Sequence, residues 1–79
     1  MPTVRFYASA RAAAGVPEED VPAGRLDELL DALGVRHGDR LALVLKASSL
    51  LVDGVACQDL STVVDGQSTV DVLPPFAGG

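Results

Sequence analysis

The sequence has a single cysteine, Cys57, and no tryptophan. One cysteine cannot form a disulfide within the chain, so we expect no disulfide framework of the kind that stabilises small secreted domains. A helix that crosses a bilayer needs roughly 20 consecutive apolar residues, and no apolar run here approaches that length. We therefore expect no membrane association and a cytoplasmic location.

Basic residues are also scarce, with six Lys and Arg against eleven Asp and Glu and a formal net charge of −5. Residues 47–79 carry four aspartates and no Lys or Arg. Nucleic-acid binding depends on a basic patch, so we do not expect a nucleic-acid partner. A protein partner that meets this half should present basic groups, although aspartate is also common in turns for local reasons.

With 79 residues, the chain is long enough for one domain over residues 1–79, with residues 73–79 as an extended tail. A domain of this size buries only about 60% of the surface that its unfolded chain exposes, which leaves no room for a deep pocket. The sequence also lacks a paired general acid and base, a nucleophile motif and a phosphate-binding loop. We expect that the chain is not an enzyme in isolation.

Hydrophobic periodicity predicts the secondary structure, most clearly at Arg25–Gly34, where leucines recur at helical spacing and Gly34 suits the position just past the end. The patterns predict three helices: a short one at Ser9–Gly15, one at Arg25–Gly34, and one at Gly38–Ser48, where a strand is the alternative. In the first part of the chain they predict a strand at Thr3–Ala8 and an edge strand within Pro17–Gly24. In the second part they predict a strand at Ser49–Gly54 closed by an Asp-Gly turn, a return strand at Val55–Asp59, and a last strand that ends before Pro74. Asp39 is a candidate cap for the second long helix.

These elements predict one sheet wrapped around one main helix, an α+β architecture. The predicted core consists of the apolar residues that share one face of a strand or helix: Val4, Phe6, Leu26, Leu29, Leu30, Leu33, Val70 and Val72.

The last eight residues, "VLPPFAGG", form an unusual end for a small domain. Pro74 and Pro75 restrict φ and favour extended geometry, so they should direct the chain away from the sheet. Phe76 is a candidate anchor in a groove of a partner protein, because aromatic residues are favoured at binding hot spots. Gly78 and Gly79 have no side chains, so this tip could enter a tunnel that admits only backbone.

The reactive group at such a tip is the α-carboxylate of Gly79. A carboxylate is a poor electrophile and needs activation, typically by transfer of AMP from ATP to give an acyl-adenylate. If a sulfur nucleophile displaces the AMP, the product is a thiocarboxylate, and if a lysine displaces it, the product is an isopeptide. In both cases we expect the catalytic groups to belong to the partner, which uses the ATP, and we expect this chain to bind no cofactor.

Three stretches carry a resemblance to a known family: "VRFYASARAAAG", "LLVDG" and, most specifically, "VDGQSTVDVLPPFAGG". Over essentially its whole length the chain resembles the small subunit of molybdopterin synthase, one of the ubiquitin-like sulfur carriers that also include the sulfur carrier of thiamine synthesis. The sequence departs from that pattern at Asp53, where Asn is commoner, and at Ala12, where Glu is usual. The turn at Gly66–Thr69 is one residue longer than the commonest form.

The resemblance implies a β-grasp fold with a mixed sheet of about four to five strands around one main helix. It implies adenylation of Gly79 by an E1-like adenylyltransferase, conversion to a thiocarboxylate with sulfur from a donor protein, and transfer to cyclic pyranopterin monophosphate in a complex with the large subunit. It also makes Arg11 a candidate for contact with the partner, although a solvated helix face is its simpler interpretation. With Arg11, the candidate partner-binding residues are those of the tail: Pro74, Pro75, Phe76 and Ala77. Alternatives are a carrier for thiamine or amino-acid synthesis, a ubiquitin-like protein modifier, and a binding module with an inert tail.

Three further residues invite a chemical role, and each has a simpler interpretation. His37 lies in a polar stretch with no second His or Cys at ligand spacing, so we expect an exposed loop residue and no metal site. Cys57 is expected to be a small, often buried hydrophobe. Lys46, the only lysine, could accept an isopeptide but fits the surface of a helix better.

Overall fold

The computed structural model describes residues 1–75, which form seven strands and three helices. The elements are β1 (Thr3–Phe6), α1 (Ala8–Ala14), β2 (Glu18–Asp20), β3 (Gly24–Arg25), α2 (Leu26–His37), α3 (Asp39–Ala47), β4 (Ser49–Val52), β5 (Val55–Ala56), β6 (Val63–Val64) and β7 (Thr69–Leu73). Within the described residues, no helix is both long enough and apolar enough to cross a bilayer.

A five-stranded mixed sheet in the order β2-β1-β7-β4-β5 forms the centre of the fold. Strands β1 and β7 are parallel, in a register that pairs Thr3 with Thr69 and Phe6 with Val72. The other pairs of this sheet are antiparallel. The predicted α+β architecture is confirmed, and α3 joins the expected main helix, α2, against which it packs.

The core lies between the sheet and the helices, because alternate residues of each central strand point toward the helical layer. Its buried apolar side chains are Val4, Phe6, Ala10, Val21, Leu26, Leu29, Leu33, Leu41, Leu45, Leu50, Val64, Val70 and Val72. Seven of the eight predicted core residues are therefore confirmed. Leu30 is only partly buried and packs against the margin of this core.

Helix α2 runs past the predicted stop at Gly34 and ends at His37. Gly34 faces α3 so closely that a Cβ there would lie 3.2 Å from the Cβ of Ala42, so this glycine permits helix contact rather than termination. Gly38, at φ 100°, ends α2 and begins α3. Asp39 is the first residue of α3 and makes no side-chain capping hydrogen bond, so its predicted capping role was wrong.

The first strand ends at Phe6, two residues before the predicted end at Ala8. Ala8 has φ 49°, which turns the chain out of the sheet and into α1, and its side chain is exposed. The predicted stop of this short helix at Gly15 is confirmed, since its N–H donates to the carbonyl of Arg11 at 2.9 Å.

The small sheet β3–β6 was not predicted, and it lies at the start of α2. Here the backbone N–H of Leu26 donates to the carbonyl of Thr62 at 2.9 Å, and that of Asp27 donates to the carbonyl of Leu60 at 3.0 Å. These loop carbonyls satisfy donors that a helix N-terminus leaves unpaired. Carbonyl groups of the neighbouring loop thus take the place of an N-cap side chain. This explains why the sequence has no ordinary N-cap residue at this position.

The predicted Asp53-Gly54 turn joins β4 to β5, with both residues at positive φ, 51° and 83°. Positive φ at both central residues is typical of the tight turns that match the twist of a hairpin. The return strand β5 ends at Ala56, so it is three residues shorter than the predicted strand that ended at Asp59.

Candidate functional site

The candidate site is the edge at which β7 leaves the sheet, formed by Tyr7, Arg11, Pro74 and Pro75 and named here the tail root. Because β1 and β7 are parallel, their carboxyl ends meet at the same edge. The backbone N–H of Tyr7 donates to the carbonyl of Val72 at 3.3 Å, which fixes the end of β1 two residues from Pro74.

Two consecutive prolines end the pairing of β7 with its neighbours. The last residue paired with β4 is Leu73, opposite Ser49. Pro74 is half-buried and Pro75 is exposed, and neither has a backbone N–H to donate to a further ladder. The predicted end of the strand before Pro74 is confirmed.

Four residues that the sequence singled out lie outside the described residues: Phe76, Ala77, Gly78 and Gly79. The predicted roles of the first two in contact with a partner, and of the glycines at the reactive tip, therefore stay predictions. The structure gives the position from which this segment departs.

Arg11 lies on α1, which packs against both β1 and β7. With Tyr7 and Pro17 it lines a shallow hollow of about 230 Å³ beside the tail root. The topology thus brings Arg11 and the two prolines to one end of the molecule, although they are more than 60 residues apart in sequence. Its contact with a partner remains a prediction.

An ion pair that the sequence did not reveal crosses the outer face of the two central strands. Arg5 on β1 donates from Nε to Asp71 Oδ1 at 2.6 Å and from a terminal guanidinium nitrogen to Oδ2 at 3.0 Å. These hydrogen bonds, helped by the opposite charge, raise the pKa of Arg5 above its ordinary value. Asp71 is only 6% exposed because Arg5 covers it, and finding this pair from sequence requires the β1–β7 register.

Arg11 makes no ion pair within residues 1–75, in contrast to most arginines of the chain. Arg5 pairs with Asp71, Arg25 with Asp27 and Arg36 with Glu19. An exposed guanidinium with no ion pair in this part of the chain is available for an acidic group of a partner, since no contact within residues 1–75 must be broken first.

The expectation that His37 is an exposed loop residue was wrong. His37 is the last residue of α2, its side chain is 16% exposed, and its Nε2 contacts the carboxylate of Glu19. Its ring meets the ring of Phe6 edge-on at 6.2 Å between centroids. Arg36 also contacts Glu19, at 3.1 Å, so this cluster joins β2 to α2 and is structural.

The other two residues with simpler interpretations behave as expected. Cys57 is half-buried beside the core, and its Sγ lies 3.3 Å from Thr62 Oγ1. Lys46 is exposed in the last turn of α3. Across residues 1–75, no group of three His, Cys, Asp or Glu side chains is arranged to hold a metal ion.

Comparison with family models finds a match to the ThiS family over residues 4–79. The chain belongs to the ThiS family. Members of this ThiS-like group are ubiquitin-fold sulfur carriers, so the resemblance inferred from the sequence motifs is confirmed at this level. No curated protein sequence matches this ThiS-family chain at a significant level.

Solved structures similar to this ThiS-family chain include three from different organisms. Small archaeal modifier protein 1 from Methanosarcina acetivorans has a TM-score of 0.84 at 20% identity, over 99% of this chain and 95% of that one. The BexX/CysO complex of Amycolatopsis orientalis has a chain at 0.81 and 20% identity, with both chains fully covered. The complex of subunits 1 and 2 of the molybdopterin-converting factor from Helicobacter pylori has a chain at 0.72 and 20% identity, over 99% and 97%. At these identities the likeness establishes the fold, and the predicted ubiquitin-like β-grasp is confirmed.

Proposed function

We propose that this chain is the sulfur-carrying small subunit of a molybdopterin synthase, with the sulfur held on Gly79. The observation that carries the proposal is the ThiS-family match, which continues through the Gly-Gly sequence to residue 79. The tail root supports it, because β7, the central strand of the sheet, leads at its carboxyl end into two prolines.

The proposed chemistry begins when an E1-like adenylyltransferase activates the carboxylate of Gly79. A carboxylate oxygen attacks the α-phosphorus of ATP, pyrophosphate leaves, and an acyl-adenylate forms. The sulfur nucleophile is hydrosulfide or a persulfide of the donor protein; it adds to the carbonyl carbon, and AMP leaves with the electrons of its bond. Where a persulfide attacks, a thiol then cleaves the S–S bond of the acyl disulfide, so that the thiol is oxidised to a disulfide and the sulfur stays on Gly79. The product is a thiocarboxylate, and all acid–base groups for these steps belong to the partners.

In the next step, the thiocarboxylate acts as the nucleophile toward cyclic pyranopterin monophosphate held by the large subunit. At each transfer the sulfur displaces an oxygen leaving group of the substrate, and water then cleaves the bond between the sulfur and the Gly79 carbonyl carbon, which returns the carboxylate. Two such transfers would build the dithiolene that binds molybdenum. In this scheme Pro74 and Pro75 direct the tail, Phe76 and Ala77 contact the partner, and Gly78 fits its tunnel. Arg11 meets an acidic group of the partner at the tail root.

The similarity to the subunit 1 and 2 complex of the Helicobacter pylori molybdopterin-converting factor supports a partner of this kind. The BexX/CysO complex supports the general arrangement of a small β-grasp protein bound to a partner protein. The alternative to molybdopterin synthesis is another sulfur pathway, for thiamine or an amino acid. Restoration of molybdoenzyme activity, compared with rescue of thiamine or amino-acid auxotrophy, separates these pathways.

The test is intact-protein mass spectrometry after incubation with an E1-like enzyme, ATP and a sulfur donor. We expect a mass gain equal to the exchange of one oxygen for one sulfur, located at Gly79 by fragmentation. Omission of ATP is the control and should prevent the gain. No gain with enzymes that load another carrier in parallel would contradict the proposal.

The second candidate is a protein modifier that is conjugated to lysines through Gly79, and the similarity to small archaeal modifier protein 1 favours it. A modifier gives adducts of higher mass that survive thiol reduction, because an isopeptide is not cleaved by thiols. Gels of cell extract probed for this chain distinguish the two candidates. Free protein alone, under several growth conditions, would exclude the modifier.

A further inference from the structure

A groove of about 1020 Å³ separates the two long helices from the loop that follows β5. Its floor is formed by the buried side chains of Leu45 and Leu50. Its sides are formed by Leu30 on α2 and by Cys57 and Leu60 beyond β5. We name this feature the helix groove. No part of the sulfur-carrier scheme uses it.

Helix α2 presents a second, separate face to the helix groove. Asp27, Asp31 and Val35 recur every four residues and line the groove, whereas the core leucines of this helix lie on another face. Val35 is 88% exposed, although it is a large apolar residue at the rim. Leu30 lies between the two faces, which explains why it is only partly buried. The rim therefore combines exposed apolar surface with carboxylates.

The charges around the helix groove indicate what it can bind. Asp31 and Asp39 line the groove, are exposed and make no ion pair within the described residues. Lys46 is the one cation among the described lining residues. An apolar floor under an acidic rim complements a segment with apolar anchors and basic flanks. A second copy of this chain fits poorly, because each copy has a net charge of −5.

We propose that the helix groove binds a partner protein through an amphipathic helical segment. The apolar side chains of that segment fill the floor, and its Arg or Lys side chains meet Asp31 and Asp39. This mode of recognition places i, i+3, i+4 and i+7 anchors of one helix in an apolar groove. The inference goes beyond the sulfur-carrier proposal and does not depend on Gly79.

The test uses two synthetic peptides of identical length that form amphipathic helices, one of Leu and Lys and one of Leu and Glu. NMR titration of the isotope-labelled full chain should show saturable shifts with the Leu/Lys peptide, centred on Leu30, Val35 and Leu60. The Leu/Glu peptide should cause none at the same concentration. A chain that lacks Gly78 and Gly79 should bind as well as the full chain, which keeps this test independent of sulfur transfer.

Matched variants separate the helix groove from general attraction to an acidic protein. Asp31→Lys should weaken Leu/Lys binding about 3- to 10-fold at low salt, because it replaces attraction with repulsion at the rim. Asp20→Lys makes the same change in net charge on β2, outside the groove, and should leave affinity within about twofold.

A second pair of variants tests the apolar contribution without disturbing the fold. Val35→Ser should weaken binding roughly fivefold, because Val35 would be buried by the bound segment. Val63→Ser changes another exposed valine, 71% accessible, that does not line the groove, and should have no effect. Three results would overturn the proposal. The first is an equal effect of the two variants in either pair, the second is equal binding of the two peptides, and the third is a set of NMR shifts centred away from the helix groove.

Discussion

The two ends of strand β7 are held differently. Its start is hydrogen-bonded to two turns, whereas beyond its last residue the chain continues through two prolines, which have no backbone N–H to donate. The carboxylate of Asp53 accepts from the N–H of Thr69 at 2.9 Å, and the N–H of Asp53 donates to the carbonyl of Thr69 at 2.8 Å. The carboxylate of Asp65 accepts from the N–H of Gln67 at 2.9 Å and from the hydroxyl of Ser68 at 3.1 Å. The start of β7 is therefore held by side chains as well as by the ladder.

The other end of the same strand has fewer constraints. The last backbone contact with β1 is the 3.3 Å hydrogen bond from Tyr7 to Val72, and Pro74 and Pro75 then remove the donors that could extend it. The difference indicates a division of roles along one strand: its start contributes stability, and its end positions the tail. Changes at the two ends should therefore have opposite consequences for folding and for sulfur transfer.

The largest expected effect is at the end of β7, where removal of Gly79 should abolish thiocarboxylate formation on the shortened chain. The reacting carboxylate would be displaced by one residue from the active site of the partner, and such a displacement removes the alignment that the reaction needs. Mass spectrometry measures the loaded fraction. Urea unfolding should be unchanged, because the deleted residue follows the last strand of the sheet.

Two results would contradict the proposal that the end of β7 positions the tail and does not stabilise the fold. Full loading of the shortened chain would show that Gly79 is not the reacting residue. A clear loss of stability would show that the tail contributes to the fold. Gly79→Ala is the companion variant, since it keeps the carboxylate and adds only a methyl group, and it should load more slowly than the natural chain.

The next effect is at the turn that holds the start of β7, where Gly54→Ala should lower the free energy of unfolding by about 1 to 2 kcal/mol. Gly54 has φ 83°, a conformation that disfavours a residue with a Cβ. Gly66→Ala is the matched control in the other Asp-Gly turn, because a Cβ there meets only an ordinary contact at 3.8 Å.

Urea unfolding measures both glycine variants, and Gly66→Ala should stay within about 0.5 kcal/mol of the natural chain. Both should still be loaded with sulfur, because neither touches the tail root. Equal destabilisation by the two substitutions, or a loss of loading in the folded Gly54→Ala protein, would contradict the comparison between the two ends.

A smaller effect is expected for Arg11→Ala at the tail root, where the rate of association with the large subunit should fall about threefold at low salt. An exposed charge at the rim of an interface acts mainly on the association rate, and salt screens it. Arg40→Ala is the control, because Arg40 is also exposed and without an ion pair in residues 1–75 but lies on α3. Stopped-flow mixing measures both, and equal rates for the two variants would remove Arg11 from the proposed interface.

Local patterns in the sequence predicted all three helices and five of the seven strands, and pairing over long distances explains most of what they missed. The leucine spacing located α2, and alternation located the core faces of β1 and β7. The two-residue strands β3 and β6 are too short to have a period, so nothing local indicates them. The continuation of α2 past Gly34 depends on contact with Ala42, which the helix alone does not reveal.

In the candidate functional site, too, local patterns were predictive and contacts between distant segments were not. The prolines marked the end of β7 in the sequence, but only the parallel β1–β7 pairing brings α1, which carries Arg11, to the same end of the molecule. The Arg5–Asp71 pair also depends on that register, and the contact of His37 with Glu19 depends on how β2 lies against α2. Chemistry that resides in one short segment was therefore predictable, whereas contacts between segments were not.

The smallest effect concerns pH, and it should appear at the start of β7. Hydrogen bonds from the backbone of Gln67 and the hydroxyl of Ser68 lower the pKa of Asp65 in the folded chain. In the unfolded chain these bonds are absent, so its pKa returns to about 3.9. A folded pKa below the unfolded one adds stability above the unfolded pKa, and this is lost as pH falls through the folded value. Stability should therefore decline below about pH 4.

Asp65→Asn tests whether ionisation of Asp65 causes this pH dependence, because an amide oxygen still accepts a hydrogen bond from Gln67 but does not titrate. The variant should be less stable than the natural chain near neutral pH, and the difference should shrink as pH falls below about 4. Asp31→Asn is the matched control, since the carboxylate of Asp31 accepts no hydrogen bond within residues 1–75. Urea unfolding at several pH values measures the difference, and a gap for Asp65→Asn that stays constant from pH 7 to the acid limit would show that ionisation of Asp65 does not hold the start of β7.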